Sequence, residues 1–471
     1  MMERIASGNE ALDRILGGGF VAHSTNLIMG MPGTGKTVLA QSILFHAASA
    51  ERPALFVSTV SEPLDRMLRY VQAFEFFDAD SVGEAIHYED LSETLRSEGL
   101  EAAVRRVVEL IKEVRPSFLV IDSFKALHSF SISAQEFRTA LSVLAAVLSS
   151  LAITSFWVGE YSMDEIAQLP EFAVADSVVE LVLKKRGTGD VRYLRVTKLR
   201  GSAYSVGEHA FRIEAGGVRL FPRLVTPDAP ISYELVTSRS SSGVEALDLM
   251  LSDGFWKGSS TIIFGPPGSG KTLLGLHFIF RGIERGERGL IATMQENPTQ
   301  LQRIVRGFGW DLQEAIDSGM LSLLYSSPVG TYIDEIIGRV SSTALEQGSQ
   351  RVLIDSVNDL AAGTDEARFR DFMYSLTQHL AVNGISALFT HETSDLFSTT
   401  VYSKCGISHM SDNVVLLSYV RRQTDIRRAI AVIKTRASDH DRGIREFVIT
   451  PNGITIGEAF VWTPPEPGPS R

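Results

Sequence analysis

At 471 residues, with 44% hydrophobic and 21% charged content, the chain is long enough for two buried cores and has the balance of a water-soluble globular protein. Its single cysteine, Cys405, excludes a disulfide framework and a cysteine-based zinc site, and no apolar run approaches the roughly eighteen residues of a membrane span. A net charge of −11 weighs against nucleic acid as the main ligand, and the opening Met1-Met2-Glu3-Arg4-Ile5 lacks a signal-like apolar stretch, so a reducing cytoplasm is the expected location.

In chain order, residues 4–37 read RIASGNEALDRILGGGFVAHSTNLIMGMPGTGKT. Apolar runs at 25–29, 54–60, 118–122 and 153–158 predict buried strands, and residues 36–50, 63–73, 101–114 and 134–151 predict helices between them. Strands alternating with helices imply a mainly parallel sheet covered on both faces. Residues 177–183 and 191–198, flanking Lys185-Arg186-Gly187-Thr188-Gly189, predict a closing hairpin. Prolines 222, 227 and 230 and the run Ser238-Arg239-Ser240-Ser241-Ser242 mark a connector. Residues 239–272 then read RSSSGVEALDLMLSDGFWKGSSTIIFGPPGSGKT, which aligns without a gap on 4–37 at roughly half-identical positions. The pattern repeats to a second hairpin at 413–420 and 429–434, and a proline-rich end follows. The expected organisation is a first domain over 1–225, a linker over 226–242, a second domain over 243–460 and a disordered tail over 461–471.

Each half carries the G-x-x-x-x-G-K-[ST] phosphate loop between an apolar strand and a helix. In the first it is Gly30, Gly33, Thr34, Gly35, Lys36 and Thr37; in the second, Gly265, Gly268, Ser269, Gly270, Lys271 and Thr272. Glycines let successive N–H groups face phosphate oxygens, the lysine adds a point charge, and the threonine hydroxyl offers a Mg²⁺ ligand. The second Mg²⁺ anchor is an aspartate at the end of a neighbouring apolar strand, Asp122 in Phe118-Leu119-Val120-Ile121-Asp122 and Asp355 in Val352-Leu353-Ile354-Asp355. ATP and Mg are therefore the expected cofactors. The basic clusters Lys184-Lys185-Arg186 and Arg421, Arg422, Arg427 and Arg428 are expected to be solvated turn residues rather than a nucleic-acid pore.

These motifs, with Thr197-Lys198-Leu199-Arg200-Gly201, Ile433-Lys434-Thr435-Arg436 and His440-Asp441-Arg442-Gly443-Ile444-Arg445-Glu446-Phe447, resemble the KaiC family of bacterial clocks over nearly the whole chain. The resemblance implies an α/β fold of two tandem RecA-like P-loop NTPase domains, each a mainly parallel sheet flanked by helices with a C-terminal antiparallel hairpin. It further implies a homo-hexameric ring with ATP at subunit interfaces. Lys198 and Arg200 in one tier, and Lys434 and Arg436 in the other, would reach a neighbour's γ-phosphate in trans. The family's paired glutamates fall on Gln295 and Glu296 in the second half, but on Val60 and Ser61 in the first, with Glu62 one position late. Glutamine positions water but accepts no proton at neutral pH, and valine does neither. Catalysis is thus expected mainly in the second domain, through Glu296, Gln295, Lys271, Lys434 and Arg436.

The family's first phosphate-acceptor position falls on Ser408 and the second on His409, with Ser403 a weaker candidate. The expected function is a slow ATPase and homo-oligomeric regulator that autophosphorylates at Ser408 and acts through unidentified regulatory proteins. The extended tail used by clock-type activators has no counterpart after Phe460, so that partner is not expected. Two other readings compete: a scaffold glued by ATP without turnover, and a RecA- or DnaB-like DNA motor.

Overall fold

A computed structural model describes residues 2–59, 64–186, 189–225, 237–327, 332–362, 364–393, 409–422 and 425–460. The chain divides into two compact units, Met1–Arg223 and Leu224–Arg471. Each holds a nine-stranded sheet of one plan.

In the first unit the parallel strands run Ile86–Asp90, Ala54–Ser58, Phe118–Asp122, Thr154–Gly159, Thr25–Gly30 and Ser177–Arg186 across the sheet. Gly189–Leu199, His209–Glu214 and Gly217–Phe221 continue it in antiparallel fashion. The second unit repeats the order as Leu321–Tyr325, Gly289–Thr293, Arg351–Asp355, Ser386–Glu392, Ser260–Gly265 and Asn413–Arg422. Asp425–Lys434, Arg445–Thr450 and Gly453–Ala459 follow antiparallel. Each phosphate-loop strand is central and buried along its full length, which is why it reads as an unbroken apolar run. Leu27 and Met29 enter one core and Ile28 the other, so the sheet separates two cores as strand alternation requires.

The opening S-G-x-E-A-L-D motif recurs because it clamps this frame. Asp13 accepts the Ser7 N–H at 2.9 Å, and Asp248 accepts the Ser242 N–H at 2.6 Å. Gly8 (φ 80°) and Gly243 (φ 87°) lie against the helix after the phosphate loop, where a Cβ would come within 2.6 Å of the His46 ring and 2.3 Å of the His277 carbonyl oxygen.

The predicted hairpins are longer than expected, at Ser177–Arg186 with Gly189–Leu199 and Asn413–Arg422 with Asp425–Lys434. Both carry a register shift at the same place, between Val178 and Val179 and between Val414 and Val415. The helix expected from residue 101 starts earlier, at Ser92, and is kinked at Gly99 (φ 80°), whose backbone is not helical. Residues 226–236 of the expected linker and the tail from 461 lie outside the described residues.

Candidate nucleotide sites

Both phosphate loops leave the C-terminal end of the central strand and enter a helix, Lys36–Ala47 or Lys271–Glu284. Gly33 (φ 76°), Gly35 (φ 100°), Gly268 (φ 71°) and Gly270 (φ 104°) adopt the left-handed conformation that turns the backbone around a phosphate. Gly30 is excluded from substitution by contact as well, since a Cβ there would meet the Leu181 carbonyl oxygen at 2.2 Å.

Lys36 Nζ donates to the Met31 carbonyl at 2.9 Å, and Lys271 Nζ to the Pro266 carbonyl at 3.0 Å. Burial lowers the pKa of each; Glu160 and Asp122 oppose the shift in the first site, and Glu392, Asp355 and Glu296 in the second. A phosphate arriving beside either ammonium would repay its desolvation. Thr34 donates to the Met31 carbonyl at 2.9 Å, whereas the buried Ser269 hydroxyl has no protein partner among the described residues.

The expected metal anchors meet in both halves. Thr37 Oγ1 donates to Asp122 Oδ2 at 2.6 Å, and Thr272 Oγ1 to Asp355 Oδ2 at 2.6 Å. The second carboxylate also accepts from Thr390 Oγ1, whose counterpart in the first domain is Val158. A hydroxyl beside a carboxylate is the hard-oxygen set that suits Mg²⁺, which takes its other ligands from water and phosphate. Among the described residues no group of three or more His, Cys, Asp or Glu forms a metal cage.

Lys36, Thr37, Asp122 and Glu160 line a cavity of about 820 Å³, within the range of nucleotide-sized ligands. Its counterpart brings together Lys271, Thr272, Gln295, Glu296, Asp355 and Glu392. Glu296 is partly buried and its Oε2 has no hydrogen-bond partner among the described residues; burial first, then Asp355, raises its pKa. Val60, Ser61, Glu62, Ser403, Cys405 and Ser408 lie outside the described residues.

Lys198, Arg200, Lys434 and Arg436 are not gathered at these sites. Lys198 Nζ donates to the Phe172 carbonyl at 2.9 Å, and Arg200 pairs with Asp176 at 3.4 Å. Lys434 Nζ donates to the Ser411 carbonyl at 2.6 Å, and Arg436 to the His409 carbonyl at 2.7 Å, with Asp412 at 3.6 Å. Asp176 and Asp412 accept from the backbone N–H of Thr25 and Ser260, at the opposite end of the central strand from the phosphate loop. That separation is roughly 16 Å along the strand.

Sequence reasoning missed two matched pairs. Arg192 and Arg428 reach the Gly33 and Gly268 carbonyls of the phosphate loops at 3.5 Å and 3.4 Å. Glu160 and Glu392 end or follow the strand beside each loop. Arg192 and Arg428 each stand six positions before the lysine of the lysine–arginine pair, so for them the repeat itself held the signal, whereas Glu160 and Glu392 lie 38 and 37 positions after Asp122 and Asp355 and match only through the sheet. Of the basic clusters, Lys184 pairs with Glu208, and Arg427 with Asp425 at 3.2 Å and Glu446 at 2.7 Å.

A parallel sheet with a glycine loop, a buried lysine and a threonine–aspartate pair at its carboxyl edge, present twice, defines a duplicated P-loop ATPase of RecA-like architecture. A family model described as "ATPase: KaiC" matches residues 5–225 and again residues 240–460. Proteins named circadian clock oscillator protein KaiC are similar along the chain. That of Picosynechococcus sp. is 31% identical over 471 residues, covering 98% of this chain and 90% of the relative. That of Rippkaea orientalis is 31% identical over 98% of this chain and 89% of its own length, and that of Thermosynechococcus vestitus 30% identical over 98% and 90%. The chain belongs to the KaiC family of ATPases.

Proposed function

We propose that the chain is a nucleotide-driven homo-oligomeric regulator that hydrolyses ATP slowly, mainly in its second domain. The observation that carries this reading is Glu296, a carboxylate with an oxygen that has no partner among the described residues, in the same cavity as Lys271, Thr272 and Asp355. Lys271 and the loop N–H groups hold the β- and γ-phosphates, Gln295 positions the attacking water, and Glu296 takes its proton. Thr272 and Asp355, like Thr37 and Asp122, would hold Mg²⁺, which when bound neutralises charge between the phosphates.

The lysine–arginine pairs lie too far from their own loops to act there, which supports action on a neighbour's nucleotide in a ring. Lys434 and Arg436 also donate to the carbonyls of Ser411 and His409. His409 and Ser411, which follow Ser408 in the chain, therefore stand at the edge that would meet a neighbour's γ-phosphate, which favours autophosphorylation at Ser408.

The test is incubation with γ-labelled ATP and Mg²⁺, following free phosphate and protein-bound label beside Glu296→Gln. Release that collapses in the variant, with label on Ser408, supports the reading. Tight nucleotide retention without release or label leaves a nucleotide-glued scaffold instead.

A further inference from the structure

We propose that Lys125 and His128 form a second anion-binding wall in the first-domain cavity, which reads the terminal phosphate of a nucleoside triphosphate and gives this domain a triphosphate-over-diphosphate preference built differently from that of the second. The proposal rests on the reading of this cavity as a nucleotide site.

The short 3₁₀ helix Lys125–Phe130 follows Asp122 and brings both side chains to the cavity that Lys36 and Thr37 line. Each is held by a carboxylate behind it. Lys125 Nζ lies 2.7 Å and 2.9 Å from the two oxygens of Glu165, which is fixed in turn by a capping box with Ser162. The same ammonium stands 5.2 Å from the Tyr161 ring. His128 Nε2 lies 2.8 Å from Glu171 Oε1, and its ring stacks on Phe137 at 3.6 Å. Lys125 has three donors and spends two on Glu165; His128 spends Nε2 on Glu171 and keeps Nδ1, which donates to a phosphate oxygen when the ring carries a proton there. Each therefore retains one position for a ligand.

Glu171 is fully buried, its Oε2 has no hydrogen-bond partner among the described residues, and the buried Tyr161 hydroxyl stands near its charge. Burying a carboxylate this way is costly, and orienting a ligand-facing histidine is a use that offsets the cost. The second domain has Asn358 and Ala361 at the matching positions after Asp355. Asn358 is consumed locally, since its Nδ2 donates to the Glu392 carbonyl at 3.0 Å and its Oδ1 accepts the Glu392 N–H at 2.6 Å. The wall is thus particular to the first site.

The experiment uses the full chain with Lys271→Ala, so that the first domain reports alone, and measures ATP and ADP affinities by competition with a fluorescent ATP analogue. Lys125→Gln and His128→Asn are each expected to weaken ATP about ten-fold or more while leaving ADP within about two-fold. ADP binding serves as the control for folding. Glu171→Gln, which keeps a hydrogen-bond partner for His128 and drops the charge, is expected to shift the ATP-to-ADP ratio the same way by less. Equal weakening of both nucleotides, or no change in either, overturns the proposal. If the Lys271→Ala chain binds neither nucleotide, the nucleotide-site reading itself fails, which is a different result from an unmoved ratio.

Discussion

Burial and the nearby Asp355 carboxylate both oppose ionisation of Glu296, so its pKa lies above the ordinary carboxylate value. Only the ionised form accepts a proton from water. Phosphate release should therefore be full above the raised pKa and lost as pH falls through it, at a higher pH than the roughly 4.3 of an unperturbed glutamate. A rate profile whose acid limb sits at the unperturbed value would contradict this. Glu296→Gln should lower release by about a hundred-fold or more with nucleotide binding retained, measured by a phosphate sensor beside a binding titration. Two histidines of the second domain titrate in the other sense. Burial lowers His277 and His391 from 6.5 to about 4. Below pH 6.5 the unfolded chain takes up protons that the folded one refuses until about 4, so stability present at neutral pH drains away across that window. At pH 5 the loss is about 2 kcal/mol for each histidine. Urea midpoints of the second transition at pH 7 and pH 5 should differ accordingly.

The strand and helix on either side of the expected glutamate pair keep different counts in the two halves. Ser58 lies opposite Asp122 as Thr293 lies opposite Asp355. In the helices that follow, Met67 and Val71 are buried as Leu301 and Val305 are, and the Phe74 N–H returns to the Val71 carbonyl as the Phe308 N–H does to Val305. Nine positions separate Ser58 from Met67, and eight separate Thr293 from Leu301. Counting back from the helix matches Glu62 to Glu296, whereas counting forward from the strand matches Ser61. We expect the slow release that survives in a Lys271→Ala chain to fall several-fold in Glu62→Gln, read by the same phosphate sensor; unchanged release would leave the first site without a carboxylate acceptor. The contrast marks what a linear pattern can carry. The phosphate loops and the strands ending in Asp122 and Asp355 were legible because their residues are fixed by local spacing. Ile86–Asp90 was not, since an edge strand buries little and Ile86 is its only buried residue. Nor were Glu160, Lys125 and His128, which reach the cavity through sheet order and a helical turn rather than through spacing.

At the scale of the whole molecule, each domain offers its lysine–arginine pair at one edge of the sheet and its phosphate loop at the other. If the pair acts on a neighbour, Lys434→Ala with Arg436→Ala silences sites that the variant completes, while Lys271→Ala silences the site it carries. Mixing the two inactive proteins after subunit exchange should restore about a quarter of wild-type phosphate release at equal amounts, by random assortment of neighbours. No recovery in exchanged mixtures would place both functions in one subunit. If each subunit gives to one neighbour and receives from another, the contacts would be head-to-tail, the polymer would have a direction, and its last receiving site would be filled only when the chain of subunits closes on itself.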